Sequence, residues 1–410
     1  MSQKPYTPSK KILKKYAELL VNFALNSGKG MKKGDVVRIL GWESAKSLVM
    51  ACVEAVTDAG GYPILNYLPD ESVRHGATPY FLQHGSKKQL SFTPHNYFKG
   101  IIADSDHELL ILSYASLDTM KHVPAQHMAW YQEATSGPYY RDYRTPKELA
   151  GKLSWTLALY GTPAMAEAAG LTLKEYWQQI IKACYLDKKD PIAEHKILYK
   201  EIERVRRKLT SLDIEKLHIL GNDVDLWISV GQDRKWLAGS GHNVPTFEVF
   251  ISPDWRGTEG WIRFSEPLYY NQQKIEGIHL EFKKGLLSKA SAKKNNKTLQ
   301  AMIEIKNGNK IGEFSLTDRR ISRITKNMAN TLYDENRGGA YGNTHIALGA
   351  AYADSYSKDP SKLTPTQKEK LGFNISSLHE DMVSTTDRTV TAYLKNGKEK
   401  IIYQKGEFTI

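Results

Sequence analysis

The sequence lacks several features that would point to membrane or secreted proteins. No run of about 18 apolar residues occurs among its 410 residues, so the sequence predicts no membrane-spanning helix. The opening segment, Met1–Lys15, is polar and rich in lysine and has no apolar core of a secretory signal. Its two cysteines, Cys52 and Cys184, cannot form a disulfide framework and are typical of buried thiols in a reducing compartment. We therefore expect a cytoplasmic protein without a membrane partner.

Common catalytic and nucleotide-binding motifs are also missing. The sequence contains no phosphate loop and no GxGxxG, so nothing in it indicates nucleotide binding. It has no GxSxG, and neither cysteine lies in a histidine-rich segment, so nucleophilic catalysis by serine or cysteine has no support.

The chain is basic, with 57 Lys and Arg against 45 Asp and Glu and a net charge of +12. Such a charge raises the alternative of a nucleic-acid-binding protein. The lysines, however, occur as scattered pairs such as Lys10-Lys11, Lys87-Lys88 and Lys293-Lys294, not as a basic helix. We favour a solvated basic surface and expect no nucleic-acid partner.

The length exceeds that of one ordinary hydrophobic core and predicts two domains. In residues 1–190, apolar strands alternate with helices, which predicts an α/β domain with a mostly parallel sheet. After about residue 190, short strands dominate, and Asn396-Gly397 has the sequence of a two-residue hairpin turn. We therefore predict that residues 191–410 form an α+β domain rich in antiparallel strands, and that this domain carries the metal site discussed next.

Acids and imidazoles in the second half stand beside small or apolar residues, where a solvated surface is not expected. Glu248 is flanked by Phe247 and Val249 and needs a cation or metal if its strand is buried. His379 and Asp381 point to one face of an extended chain because side chains alternate with period two. The segments of interest are Asn243–Phe250, Ile311–Leu316 with Glu313, Asp334–Asn336 with Glu335, His345 with Tyr352, and Ser376–Val383.

Each segment alone has a simpler interpretation, since a buried glutamate is more often paired with a cation and a histidine in an apolar run is usually a core residue. His279-Leu280-Glu281 has similar spacing, but Lys283 and Lys284 follow it, and we expect a pair in a surface hairpin. As a set, carboxylates with imidazoles are what a two-metal hydrolase needs. Oxygen-rich sites with histidine suit Zn, Mn or Co.

In these segments the chain resembles the thermophilic metalloaminopeptidase family, of the aminopeptidase T and aminopeptidase S type. The resemblance covers essentially the whole chain and follows the order of the family's motifs. It implies a metal-dependent aminopeptidase that hydrolyses the N-terminal peptide bond of peptides with a free α-amino group. It also implies a metal-activated water at a centre of two divalent ions (Zn, Co or Mn), and a cytoplasmic homodimer. The matching motifs are Asn243 to Phe250, Gly312-Glu313, Asp334-Glu335-Asn336, His345 to Gly349 with Tyr352, and His379-x-Asp381.

The resemblance also implies roles for individual residues. Tyr352 and Glu313 become candidate catalytic residues. Glu335 either binds metal directly, or contacts a metal-binding residue or the substrate amine. Phe247 and the segment Met382–Thr386 depart from residues frequent in the family, which puts the substrate preference in question. The implied metal ligands are Glu248, Glu313, Glu335, His345, His379 and Asp381.

A second class of function remains open from sequence alone. A two-domain protein that closes on a small ligand and holds a structural metal would explain the predicted fold. It would leave several unconnected acids in apolar segments without a role.

Overall fold

A computed structural model describes residues 6–72, 76–239, 241–270 and 273–410. The chain forms two compact units: the first contains the chain up to Glu194 and a short segment that ends at Val244, and the second contains the remainder. No helix in these described ranges is long and apolar enough to cross a membrane. Cys52 and Cys184 are both buried.

The first unit contains a five-stranded sheet in which every neighbouring pair is parallel, in the order β2-β1-β3-β4-β8. One face of its central strands is fully buried and includes Val37, Ile39, Leu109 and Ile111, as expected for the apolar strands of a parallel sheet. The predicted α/β architecture is confirmed. The strands are β1 (Val36–Trp42), β2 (Tyr62–Leu68), β3 (His107–Leu112), β4 (Ser154–Leu159) and β8 (Asn243–Val244).

Some helices of the first unit begin at capping side chains. The Ser9 hydroxyl accepts from the Ile12 amide, and Thr172 with Glu175 forms a capping box. Two π-helical turns occur, at Leu20–Ala24 and Tyr139–Arg144, and a 3₁₀ turn at Glu43–Ala45. The helices are α1 (Lys10–Leu19), α2 (Leu25–Gly28), α3 (Lys46–Asp58), α4 (Ala77–His84), α5 (Lys87–Leu90), α6 (His95–Asp104), α7 (Ala125–Ala134), α8 (Ser136–Pro138), α9 (Thr145–Leu149), α10 (Pro163–Ala168) and α11 (Leu173–Ala183).

The second unit contains a large antiparallel sheet of eight strands, in the order β14-β13-β10-β6-β5-β18-β19-β20. Asn396 and Gly397 lie in the hairpin that joins β18 to β19, as predicted, but residues 395–398 form the connection, which is longer than the predicted two residues. Gly397 has a φ of +80°. The strands are β5 (Ile214–Gly221), β6 (Val224–Ser229), β10 (Asp254–Arg263), β13 (His279–Lys283), β14 (Leu286–Ser291), β18 (Arg388–Leu394), β19 (Glu399–Gln404) and β20 (Glu407–Phe408).

A second antiparallel sheet, in the order β17-β16-β15-β9-β7, lies in the same unit. Its central strands β15 and β16 are buried along their whole length. The antiparallel α+β architecture predicted for this half is confirmed. The strands are β7 (Leu237–Ala238), β9 (Glu248–Ile251), β15 (Ile311–Thr317), β16 (Asn343–Gly349) and β17 (His379–Ser384), and a separate ribbon contains β11 (Leu268–Tyr270) and β12 (Gln273–Ile275).

The remaining elements are helices and short turns that connect these strands. Two 3₁₀ turns lie at Ala353–Ser355 and Pro360–Lys362. The helices are α12 (Pro191–Ser211), α13 (Asn296–Ile303), α14 (Thr331–Asp334) and α15 (Pro365–Lys370).

Candidate metal centre

The register of the five-stranded antiparallel sheet brings the predicted site residues to one face. Ala347 on β16 is aligned with Glu313 on one side and with Asp381 on the other. Because side chains two positions apart share a face, His345 and His379 join them. The small side chain of Ala347 therefore separates two carboxylates across three strands.

A β-bulge sets the position of Glu313. The pairing of β15 with β16 shifts between Ile311 and Glu313, so that Gly312 is the extra residue. A methyl group at Gly312 would overlap the carbonyl groups of Gly349 and Ala350, so only glycine permits this approach of the two backbones. Gly349 itself has a φ of +103°, and a side chain there would overlap the Leu378 carbonyl.

Two groups of potential ligand atoms share Glu313. Within each group the ligand atoms lie within 4.8 Å of one another: Glu248, Glu313 and His345 form the first, and Glu313, His379 and Asp381 form the second. Glu313 Oε1 lies 3.3 Å from His345 Nε2, while its Oε2 lies 3.7 Å from His379 Nε2. One carboxylate thus presents a different oxygen to each imidazole.

Further short distances join the two groups of ligand atoms into one cluster. His345 Nε2 lies 3.2 Å from Glu248 Oε2 and 3.9 Å from Asp381 Oδ1. That same Asp381 oxygen lies 3.6 Å from His379 Nε2. Glu248, Glu313 and His345 are buried, with 7%, 3% and 1% of their surface exposed. Five of the six predicted ligand residues therefore converge.

Glu335, the sixth residue, lies beside the cluster but outside both groups. It directly follows α14, and its carboxyl group hydrogen-bonds that of Asp381. Asn336 Nδ2 donates to Glu335 Oε1 over 3.2 Å. Burial, followed by the charges of Glu248 and Asp381, raises the pKa of Glu335 well above its usual value.

The hydrogen bonds of the two imidazoles leave Nε2 for the cluster. His379 Nδ1 lies 2.8 Å from the Ala350 carbonyl oxygen, which can only accept, so this nitrogen carries a proton. His345 Nδ1 lies 3.3 Å from Asn343 Oδ1. Ser315 Oγ donates to Glu248 Oε2 over 2.7 Å. Such contacts fix the ring orientation of histidines that bind metals.

The pKa shifts show a cluster with too little positive charge. Burial, with the charges of Asp381 and Glu248, raises the pKa of Glu313 to about 7. Burial lowers the pKa of His379, but the Asp381 carboxylate outweighs it and raises the pKa to about 9. In the same way, Glu248 and Glu313 outweigh burial and raise the pKa of His345. Protons thus occupy ligand atoms to which a metal cation would bind.

One orphaned atom tests whether the residues fit a metal. Asp381 Oδ1 is buried and makes no hydrogen bond within the described residues, an arrangement that is unfavourable unless a cation binds there. Carboxylate oxygens and imidazole nitrogens are ligands that suit Zn, Mn and Co. The donor set and its unsatisfied oxygen both fit a metal centre.

Tyr352 lies next to this cluster. Its ring packs edge to face with Phe250 and lies 4.7 Å, between centroids, from the ring of His379. Its surface is 45% exposed, so it is accessible from outside the sheet. Surrounding protein atoms, followed by the Glu313 and Asp381 carboxylates, raise the pKa of its phenol, which therefore stays protonated as a hydrogen-bond donor.

Three polar residues that the sequence analysis did not assign support the cluster. Asn343 donates from Nδ2 to the carbonyl oxygens of Asp334 and Glu335, and Asn336 Oδ1 accepts from the Phe247 amide over 2.6 Å. Ser315 supports Glu248, as described above. The spacing Asn343-x-His345 was an available signal, since it places both side chains on one face of a strand.

The chain is similar to known proteins along nearly its whole length. A sequence model of the thermophilic metalloprotease family M29 matches residues 9–408. Aminopeptidase T of Thermus aquaticus is 25% identical over 436 residues, which cover 97% of this chain and 98% of that protein. Aminopeptidase PepS of Streptococcus thermophilus is 28% identical over 285 residues, which cover 64% of this chain and 67% of its own length.

The fold has a counterpart among solved structures. Wild-type AmpT from Thermus thermophilus matches with a TM-score of 0.82 and 21% sequence identity, over 98% of this chain and 100% of that chain. The match of the family model to nearly the whole sequence decides the relationship. This chain belongs to the thermophilic metalloprotease family M29.

Proposed function

We propose that the chain is a metal-dependent aminopeptidase that hydrolyses the N-terminal peptide bond of peptides with a free α-amino group. Membership of a metalloprotease family and relatives named aminopeptidases support this activity. The observation that carries the finer proposal is the shared carboxylate of Glu313, which offers one oxygen to each of two ligand groups.

The proposed centre holds two divalent ions. Glu248, Glu313 and His345 would bind one, and Glu313, His379 and Asp381 would bind the other. Glu335 would contact Asp381 from outside these groups, with direct ligation as the alternative. Zn, Co or Mn suits a site that combines several carboxylates with two imidazoles.

When bound, such a pair of ions polarises the scissile carbonyl and makes water a stronger acid. Glu335, with Glu313 as the alternative, would take a proton from the attacking water and deliver it to the leaving amine. Glu335 lies outside both ligand groups, and bound ions would offset the neighbouring carboxylate charges that help to raise its pKa. Tyr352 would donate a hydrogen bond from its phenol to the oxygen of the tetrahedral intermediate. Glu313, which belongs to both ligand groups, would fix their position relative to each other.

The relatives named aminopeptidases support the requirement for a free amine. Bound ions would offset the charge of the metal-binding carboxylates, so Glu335, which lies outside both ligand groups, is the acid that would attract a cationic α-ammonium group. A blocked N-terminus lacks that charge. The alternative, a small-ligand-binding protein with a structural metal, also fits a buried metal but requires no turnover.

Several broader features belong to the same proposal. Residues 191–410 would form the catalytic domain and residues 1–190 the other domain. The protein would act in the cytoplasm as a homodimer, with no nucleic-acid or membrane partner. The small number of cysteines supports the cytoplasmic location.

Hydrolysis of a matched set of substrates tests this function. Free aminoacyl-anilides and peptides should be cleaved, their N-acetylated counterparts should not, and a chelator should abolish turnover. Readdition of Zn, Co or Mn, one at a time, should restore it and identify the preferred ion. Stoichiometric metal without cleavage of any free-amine substrate would favour the ligand-binding alternative.

A further inference from the structure

The first unit contains a cavity of about 730 Å³ on the face of the parallel sheet opposite its buried core. Residues that alternate along β1, β3 and β4 form its floor, including Arg38, Glu108 and Trp155. Ligand pockets for small molecules are typically about 300–1,000 Å³ in volume and largely apolar. The cavity therefore has room for a molecule of the size of an aromatic amino acid or a dipeptide.

Aromatic side chains form much of its wall. Trp42, Tyr97 and Tyr131 come from three different elements and line the space together with Trp155. The π-helical turn Tyr139–Arg144 contributes further lining residues, and π-helical turns are frequent at functional sites. Such a wall favours a flat, apolar body that can pack against rings.

Two buried arginines give the cavity its polar character. Arg38 and Arg144 are each only 9% exposed, and they meet the two oxygens of Glu108 at 2.6 and 2.7 Å. Arg144 also lies 3.3 Å from Glu148, which is outside the lining, and its guanidinium carbon lies 4.8 Å from the centroid of Trp155. The charged groups that line the cavity are therefore two guanidinium groups and the Glu108 carboxylate, and Glu148 contacts Arg144 from outside the lining.

One terminal nitrogen of each guanidinium remains available. Arg38 and Arg144 both make their hydrogen bonds through Nε and Nη1. Within the described residues, Nη2 of each arginine makes no hydrogen bond, and neither Nη2 atom is fully buried without a partner. The N–H groups of such a nitrogen are suited to donate charge-assisted hydrogen bonds to a carboxylate.

We propose that this cavity is a binding site for a small carboxylate with an aromatic body, separate from the metal centre. The aromatic wall would hold the body of the ligand, and Arg38 and Arg144 would bind its carboxylate. The inference is independent of peptidase activity, because it rests only on residues of the first unit.

Binding of 3-phenylpropionate to the intact protein tests the proposal by isothermal titration calorimetry. Its neutral isostere, 3-phenylpropionamide, has the same ring but no charge. We expect saturable binding of the acid with one molecule per chain. The affinity for the amide should be at least about tenfold lower than that for the acid, because the charge-assisted hydrogen bonds are lost. Absence of saturable binding, or equal affinity for acid and amide, would overturn the proposal.

Variants then locate the bound molecule. Arg144→Gln should weaken binding about tenfold, whereas Arg141→Gln should not, because Arg141 is exposed and pairs with Asp142. Leu157→Trp places a bulky ring on the floor of the cavity, retains every charged group and should weaken binding at least about tenfold, which keeps the test decisive if Arg144→Gln fails to fold. Glu313→Gln, in the metal centre, should bind the acid as before. Binding that survives Leu157→Trp but is lost in Glu313→Gln would contradict the proposal.

Discussion

His379 and His279 each precede an acid by two positions on an antiparallel strand, but Nδ1 donates a hydrogen bond in one ring and accepts one in the other. The side chains are similarly exposed, at 21% and 18%. His379 Nδ1 donates to the Ala350 carbonyl, which leaves Nε2 with its lone pair in the neutral ring. His279 Nδ1 instead accepts from Arg263 Nε over 3.0 Å, so its proton lies on Nε2, which faces Glu281 at 3.0 Å.

The carboxylates of the two pairs also differ in the charged groups that surround them. Glu281 also pairs with Lys289 at 3.1 Å, so a cation already neutralises it. Asp381 instead meets His345 and the carboxyl group of Glu335. The predicted surface hairpin around His279 is confirmed by the pairing of β13 with β14. The two pairs share their spacing, and the partner of Nδ1 and the local charge distinguish them.

The largest expected effect is at Glu313. In Glu313→Gln the amide keeps the shape but cannot offer a charged oxygen to each ligand group. Metal affinity at one of the two proposed sites should fall by about 100-fold or more. Mutation of residues that only hydrogen-bond to metal-binding side chains already lowers metal affinity by about 10- to 100-fold. Turnover of an aminoacyl-anilide should drop to background. Metal analysis by mass spectrometry of dialysed protein would check the first point, and full occupancy would show that Glu313 does not bridge.

Glu281→Gln is the matched control for that variant. Because Glu281 is a surface acid, metal content and turnover should stay at wild-type values. The melting temperature should stay close to the wild-type value, because exposed ion pairs contribute little to stability.

Removal of the Tyr352 hydroxyl should have the next largest effect. A phenol that donates to a developing oxyanion acts in the transition state, so Tyr352→Phe should lower kcat by roughly 10²- to 10³-fold with unchanged metal content. Tyr393→Phe, on the large antiparallel sheet, should leave kcat unchanged. A normal kcat with a lowered Tm in Tyr352→Phe would show that Tyr352 only packs against its neighbours.

The smallest expected effect concerns the partners of Nδ1. Asn343→Ala removes the acceptor for His345 Nδ1 and should weaken metal binding about 10- to 100-fold, with kcat recovered at saturating metal. Arg263→Gln changes the corresponding partner of His279 and should leave metal affinity unaltered. Competition with a coloured chelator would measure both affinities, and equal affinity in the two variants would remove the distinction between the pairs.

Much of the architecture is predictable from the sequence because its signals are local. Alternating apolar strands and helices predict the parallel sheet, and Asn396-Gly397 predicts its hairpin. Period-two alternation is sufficient to place His379 and Asp381 on one face. These inferences need no knowledge of which strands become neighbours.

The remaining features depend on contacts between distant segments. The sequence does not give the register that aligns Glu313, Ala347 and Asp381, which lie on three separate strands. The acceptor for His379 Nδ1 is the main-chain oxygen of Ala350, and a main-chain acceptor cannot be identified from the type of residue that carries it. Likewise, β8 adds residues 243–244 to a parallel sheet whose other strands end by residue 159.

The bulge at Gly312 has a consequence for protein design. Transplanting the six acidic and imidazole side chains onto a regular antiparallel sheet would not reproduce the centre, because an unbulged strand would turn Glu313 to the opposite face. A workable graft must carry Gly312 and Gly349 as well, together with the main chain between Leu378 and Asp381. The smallest portable unit of this centre is therefore a piece of backbone with its irregularity, not a list of ligands.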